Sequence, residues 1–232
     1  MSKIQYYLIH GPDSSRAPRM IEEFEKWGLD NKQVKWLLHP NGNEIPYELR
    51  RQLVCQTPSY TCGTYVNAGC PNMGNGKVSC TFKHYLCLKD IVENGYDYGV
   101  IMEDNQYFNA NIPETVSKYI HQLNELYPEK WDIIFDTNWQ SYKNVREHTV
   151  NPGVFVYPKS NEISEHGGHG GTRLAQFYIL THRCAKLLFE NYLPFNNAPD
   201  WWMNDLFRKL QVRSFWSEPS ISSVFPHTST AL

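Results

Sequence analysis

A chain of 232 residues, 41% of them hydrophobic and 20% charged, matches one folded domain with a full core and excludes extended disorder. A formal charge of −2 gives no broad attraction for nucleic acid or an anionic membrane surface, so neither is expected as a partner. No stretch approaches the roughly 18 apolar residues of a membrane span, and MSKIQYYLIHG is too short an apolar run for a signal peptide, so a cytoplasmic location is expected.

The first segment, Ile4 to His10, reads as an apolar strand. In the following GPDSSRAPRMIEEFEKWGL, Ser14 or Ser15 can cap a helix and Pro18 suits its first turn. Met20, Ile21, Phe24 and Trp27 then recur at helical spacing until Gly28. Val34 to His39 is a second strand, and the βαβ pattern implies parallel pairing. Arg16 and Arg19 fall where the loop meets the helix amino terminus, a position that favours anions, although solvated surface charge is the plainer reading.

Residues 55–76 are dense in Gly, Pro, Asn and Ser without periodicity, which predicts a long substrate-facing loop carrying Tyr60 and Tyr65. The six cysteines include no C-x-x-C pair, so a zinc site is not expected and reduced thiols are. A disulfide among Cys55, Cys62 and Cys70 stays open. From Lys77 a helix is predicted, with Val78, Phe82, Tyr85, Leu88 and Val92 on its buried face and Gly95 at its end. His84 lies beside that stripe, where a hydrogen-bonded core histidine is commoner than a ligand.

GYDYGVIMEDN, residues 95–105, is a turn, a buried strand from Tyr98 to Met102, and then Glu103, Asp104 and Asn105. In open α/β sheets ligands bind outside the carboxyl ends of the strands. Clustered side-chain oxygens there suit a hard divalent cation against phosphate oxygens, or else simply form an acidic turn. A helix from Pro113 to Tyr127 and a strand from Trp131 to Asp136 follow, so a second strand also ends in an acid.

Residues 138–170 read as irregular, with Val154 to Tyr157 a possible strand and HGGHGG at 166–171 a hinge or a metal-holding run. Leu174 to Leu180 is strand-like, and Thr181 caps a helix bearing Ala185, Leu187, Leu188 and Phe189. Pro199 and Asp200 open the last helix, and Val212 to Trp216 is the last strand. A tail at 218–232 carries His227.

Four blocks, in order, resemble glycosyltransferase family 25, the group that includes lipopolysaccharide and procollagen galactosyltransferases. YYLIHGPDSSRAPRM is similar to the family's first strand and Arg-bearing helix start. GKVSCTFKHYLCLKDIVENGYDYGVIMEDN matches its most specific segment, with Gly76, Cys80 and His84 before a strand that ends in acids. GGTRLAQFYILTHRCAKLLFE and APDWWMNDLF resemble the family's later strand–helix unit and its Asp-bearing helix. Four positions depart from the pattern. His10-Gly11 replaces Asn-Leu, Lys83 replaces a Ser, and Asn105 replaces the third acid of Glu-Asp-Asp, removing a charge where a metal ligand is expected.

The resemblance implies an α/β protein of the GT-A fold, a single domain with a Rossmann-like mixed sheet flanked by helices. It implies transfer of a hexose, galactose or glucose, from a nucleotide diphosphate sugar such as a UDP-sugar to a hydroxyl of a glycan or glycoprotein acceptor, with inversion. On this resemblance the donor is held by His10, Gly11, Arg16, Arg19, Lys77, His84, Glu103 and Asp104. Mn²⁺ or Mg²⁺ is held by Asp104, Asn105 and His227, and Asp200 or else Asp205 is the general base. A non-catalytic nucleotide-sugar-binding module of the same fold is the alternative. A nucleotidyltransferase is disfavoured because HGPDSSR has a single Gly.

Overall fold

The computed structural model describes residues 2–11, 15–55, 73–136, 153–161 and 175–224. Among these, nine strands and six helices alternate. The strands are β1 (Ile4–Ile9), β2 (Val34–Leu37), β3 (Tyr98–Glu103), β4 (Gln106–Phe108), β5 (Ile133–Phe135), β6 (Val156–Lys159), β7 (Phe177–Thr181), β8 (Ser214–Ser217) and β9 (Ser222–Val224). The helices are α1 (Arg16–Lys26), α2 (Tyr47–Leu53), α3 (Asn75–Asn94), α4 (Ile112–Leu126), α5 (His182–Asn191) and α6 (Pro199–Leu210). Seven strands form one mixed sheet in the order β2-β1-β3-β7-β5-β8-β6, and β4 and β9 pair separately. The expected mixed sheet flanked by helices is therefore present.

Strand alternation sends side chains to two buried faces. Tyr7, Ile9, Ile101, Phe135, Tyr178 and Leu180 pack beneath α2, α3, α5 and α6. Tyr6, Leu8, Val100, Met102, Phe177 and Ile179 pack beneath α1 and α4. Both faces are apolar because both are covered, which is why these strands read as continuous hydrophobic runs. No helix among the described residues is long and apolar enough to cross a membrane.

Local signals explain most boundaries. Asn111 Oδ1 accepts from the Glu114 amide at the start of α4, and Thr181 Oγ1 accepts from the Cys184 amide at the start of α5. Gly95 ends α3 in the left-handed conformation, at φ 63°. Gly99 permits the close approach of α3 to the sheet, since a Cβ there would lie 2.2 Å from Ile91 Cδ1.

Other boundaries differ from expectation. Ser15 precedes α1 without a side-chain capping bond, and Ser14 lies outside the described residues. α3 begins at Asn75, two residues before Lys77, behind Gly74. β6, β7 and β8 start two or three residues later than the apolar runs suggest. α2, β4 and β9 carried too little periodicity to be read at all. The centre of the 55–76 loop, the HGGHGG run, much of 138–170 and His227 lie outside the described residues, as do Cys62 and Cys70.

The connections place a topological switch beside β1. After β1 the chain passes through α1 to β2 on one side. After β2 it passes through α2 and α3, on the opposite face, to β3 on the other side. β1, β2 and β3 are parallel, and Ile9 lies in register with Glu103, so the carboxyl ends of β1 and β3 open side by side. Crevices at such reversals are where open α/β sheets bind ligands.

Candidate functional site

Asp104 sits in that crevice, only 5% exposed, immediately beyond β3. Its carboxylate ties three parts of the chain together. Oδ1 accepts from Arg16 Nη1 at 2.9 Å, Oδ2 accepts from the Gly11 amide at 2.8 Å, and His10 Nδ1 lies 2.8 Å from Oδ2. Arg19 Nη2 donates to the Asp104 carbonyl at 2.9 Å. The His10 ring is held edge-on against Trp36. A buried carboxylate requires compensation of this kind, since an uncompensated charge in the interior is strongly destabilising.

Glu103, the last residue of β3, points its carboxylate toward α3. Its Oε1 lies 3.3 Å from His84 Nε2 and accepts from the Cys80 thiol at 3.9 Å. Cys80 and His84 are one helical turn apart, so both project from one stripe of α3. His84 is fully buried, and its Nδ1 lies 2.7 Å from the Tyr178 hydroxyl on β7. Lys77 is on the same stripe at the exposed start of α3. Burial pushes the Cys80 thiol well up, with the Glu103 carboxylate adding to the effect, the Lys83 ammonium opposing it, and Asp200 and Asp104 raising it further. The field of Asp200 thus reaches the same crevice from the first turn of α6.

Lys83 occupies the position where the resembled family has Ser. Its buried Nζ donates to the His10 carbonyl at 2.8 Å and lies 3.5 Å from Asn41 Oδ1, fastening α3 to the end of β1. Burial lowers its pKa. The sequence reading assigned no role to Lys83 or to the thiol of Cys80. Their signal was spacing, because Cys80, Lys83 and His84 fall within one turn of the same helix.

The structure thus brings His10, Gly11, Arg16, Arg19, His84, Glu103 and Asp104 to one place, with Asp200 nearby. It does not bring Asp205 there. Five residues beyond Asp200, and so turned by about 140° around the helix, Asp205 is paired with Arg208 at 2.6 Å in a surface hollow with Trp202 and Pro194. Asp136, the second strand-end acid, serves the fold. Its oxygens accept from the amides of Ile221 and Ser222 and from the hydroxyls of Ser217 and Ser222, and burial raises its pKa.

The donor set suits a hard divalent cation. Asn105 Oδ1 is buried and accepts no hydrogen bond among the described residues. An orphaned carbonyl oxygen on the residue that follows two carboxylates in the chain is the kind of ligand such cations take. Asp104 is already engaged by Arg16, Gly11 and His10, and Glu103 by Cys80 and His84, which leaves Asn105 Oδ1 as the oxygen least committed to the protein among the described residues.

No curated protein matches this chain. Among solved structures, A197 from STIV aligns at 11% identity with a TM-score of 0.47, over 96% of this chain and 83% of that one. A protein from Bacillus anthracis described as a glucose-1-phosphate thymidylyltransferase, in complex with sucrose, aligns at 8% identity with a TM-score of 0.37. That alignment covers 92% of this chain and 85% of the other. The family model described as "Glycosyltransferase family 25 (LPS biosynthesis protein)" matches residues 56–203, a span that contains Cys80, His84, Glu103, Asp104, Asn105 and Asp200. Because that match covers more than half of the chain, the protein belongs to glycosyltransferase family 25.

Proposed function

We propose that this glycosyltransferase moves a hexose from a nucleotide diphosphate sugar to a hydroxyl of a glycan or glycoprotein acceptor, in the crevice between β1 and β3. The observation that carries this reading is the convergence of Arg16, the Gly11 amide and His10 on Asp104, with Glu103 and Asn105 on either side of it. Cationic and amide groups at the amino terminus of α1 suit the diphosphate, whose negative charge grows as the glycosidic bond breaks. Mn²⁺ or Mg²⁺ held by Asn105, Asp104 and Glu103 would neutralise that charge, and His227 of the tail is a further candidate ligand.

The remaining chemistry belongs to the chain's own side chains. The acceptor oxygen attacks the anomeric carbon as the carbon–oxygen bond to the diphosphate breaks, and the acceptor proton passes to the Asp200 carboxylate. A single displacement of this kind inverts the anomeric configuration. Arg16 and Arg19 help bind the donor phosphates, and Lys77, exposed at the start of α3, is a further candidate for binding the donor.

A thermal-shift screen of UDP-galactose and UDP-glucose, each with and without Mn²⁺, tests the donor. A ligand that binds only the folded state raises its apparent stability. A shift that needs both sugar nucleotide and Mn²⁺ supports the reading, and no shift with any sugar nucleotide overturns it. The neutral Asn105 and the full engagement of Asp104 favour one competing reading, a sugar-nucleotide-binding module without turnover. Donor binding with no sugar release under any divalent cation would select it.

A further inference from the structure

We propose that Cys80, His84 and Glu103 form a binding site for a thiophilic divalent transition metal, with Zn²⁺ the best-matched ion, distinct in chemistry from a hard cation at Asn105. One sulfur, one imidazole nitrogen and one carboxylate oxygen lie within 4.8 Å of one another, all from rigid elements. In a tetrahedral zinc site, bonds of about 2.3 Å to sulfur and about 2.0 Å to nitrogen or oxygen require N···O and S···O edges of about 3.3 and about 3.5 Å. The corresponding separations are 3.3 Å from His84 Nε2 to Glu103 Oε1 and 3.9 Å from Cys80 Sγ to the same oxygen. One edge already has the required length, a second needs to close by about 0.4 Å, and the sulfur-to-nitrogen edge, within 4.8 Å here, must reach about 3.5 Å.

The surroundings are those of a ligand set. His84 is fully buried, and its second ring nitrogen meets the Tyr178 hydroxyl at 2.7 Å. In the tautomer that donates Nδ1–H to that hydroxyl, Nε2 is left as an acceptor facing Glu103, the orientation of a metal-ligating histidine. Three protein ligands leave a fourth position for water or for an oxygen of a bound substrate. Cys80 supplies the selectivity, since thiolate prefers zinc and neighbouring ions over Mn²⁺ or Mg²⁺. A thiol becomes a metal ligand as the thiolate, so binding releases the Cys80 proton to solvent as the sulfur–metal bond forms. The site shares the Glu103 carboxylate with the proposed hard-cation set, yet binding here does not require turnover, and a chain that transferred nothing would still bind the ion.

The test is Co²⁺ titration of the full chain under reducing conditions, followed by absorption, with Zn²⁺ competition. The expected result is one Co²⁺ per chain, giving a sulfur-to-cobalt charge-transfer band and the intense visible bands of tetrahedral cobalt, both erased by one equivalent of Zn²⁺. Cys80→Ala should remove the charge-transfer band. Glu103→Gln and Tyr178→Phe should each weaken Zn²⁺ by about tenfold or more. A chain with Cys55, Cys62 and Cys70 all changed to serine should keep the band. Wild-type protein without a thiolate band overturns the proposal, as does a band that survives Cys80→Ala or vanishes in the triple-serine chain.

Discussion

Arg16 and Asp104 meet at 2.9 Å, the first residue of α1 against the residue after β3, eighty-eight positions apart in the chain and both largely buried. This pair joins the start of the helix that follows β1 to the carboxyl end of β3, beside the topological switch. It also shapes the crevice in which the acids and arginines of the site converge.

Breaking that pair should cost both stability and function. Asp104→Ala leaves the Arg16 charge facing an emptied pocket and removes the acceptor for the Gly11 amide, so urea denaturation should show a loss of about 3 kcal/mol. Asp104→Asn keeps an acceptor oxygen without the charge and should cost less. Both variants should lose donor-dependent stabilisation in the thermal-shift assay.

Asp200 and Asp205 should separate cleanly. Asp200→Asn should lower turnover by about a hundredfold or more while calorimetric donor binding persists, because a general base acts on the acceptor. Asp205→Asn removes only a partly exposed pair with Arg208, of the kind worth at most about 1 kcal/mol, and should leave turnover within about twofold. Loss of donor binding in Asp200→Asn would move that residue into the donor site.

Asn105→Asp should tighten Mn²⁺ binding by about tenfold, because it adds a charge to a site whose other ligands are hard oxygens. Asn105→Ala removes the orphaned carbonyl oxygen and should weaken binding by a similar factor. Isothermal titration with Mn²⁺ alone measures both changes without relying on turnover.

At the far end of the sheet, burial lowers Lys159 to about 7, with its ammonium between the rings of Phe207 and Trp216. Below that pH the lysine is charged in both the folded and the unfolded chain, and the full cost of burying the charge is present. Above it the folded form is neutral while the unfolded lysine stays protonated to about 10.4, so stability rises with pH across that window. Lys159→Met should remove this slope and raise stability at pH 6 by about 1–3 kcal/mol, the ring faces and nearby carbonyls offsetting part of the desolvation cost. Urea denaturation at pH 6 and pH 9 reads the difference.

Much of the fold was legible because most core elements state their period. β1, β3 and β5 announce themselves as apolar runs since helices cover both faces of the sheet, and α5 carries a cap at Thr181 that bonds as expected. β4, β9 and α2 were not legible. They are three to seven residues long, and their place is set by partners distant in the chain, such as Ser222 opposite Phe108.

The site divides along the same line. By itself the sequence determined which side chains were candidates for chemistry: strand-end acids, arginines at a helix start, and a histidine beside the apolar stripe of a helix. Those follow from local spacing and residue type. Only the tertiary structure decided how they are used. It committed Asp104 to Arg16 and Gly11, gave Asp136 to the Ser217–Ser222 segment, turned Asp205 away to Arg208, and set Cys80 and His84 against Glu103. A carboxylate's role depends on which partners arrive beside it and how much water they exclude, and those partners come from other strands and helices.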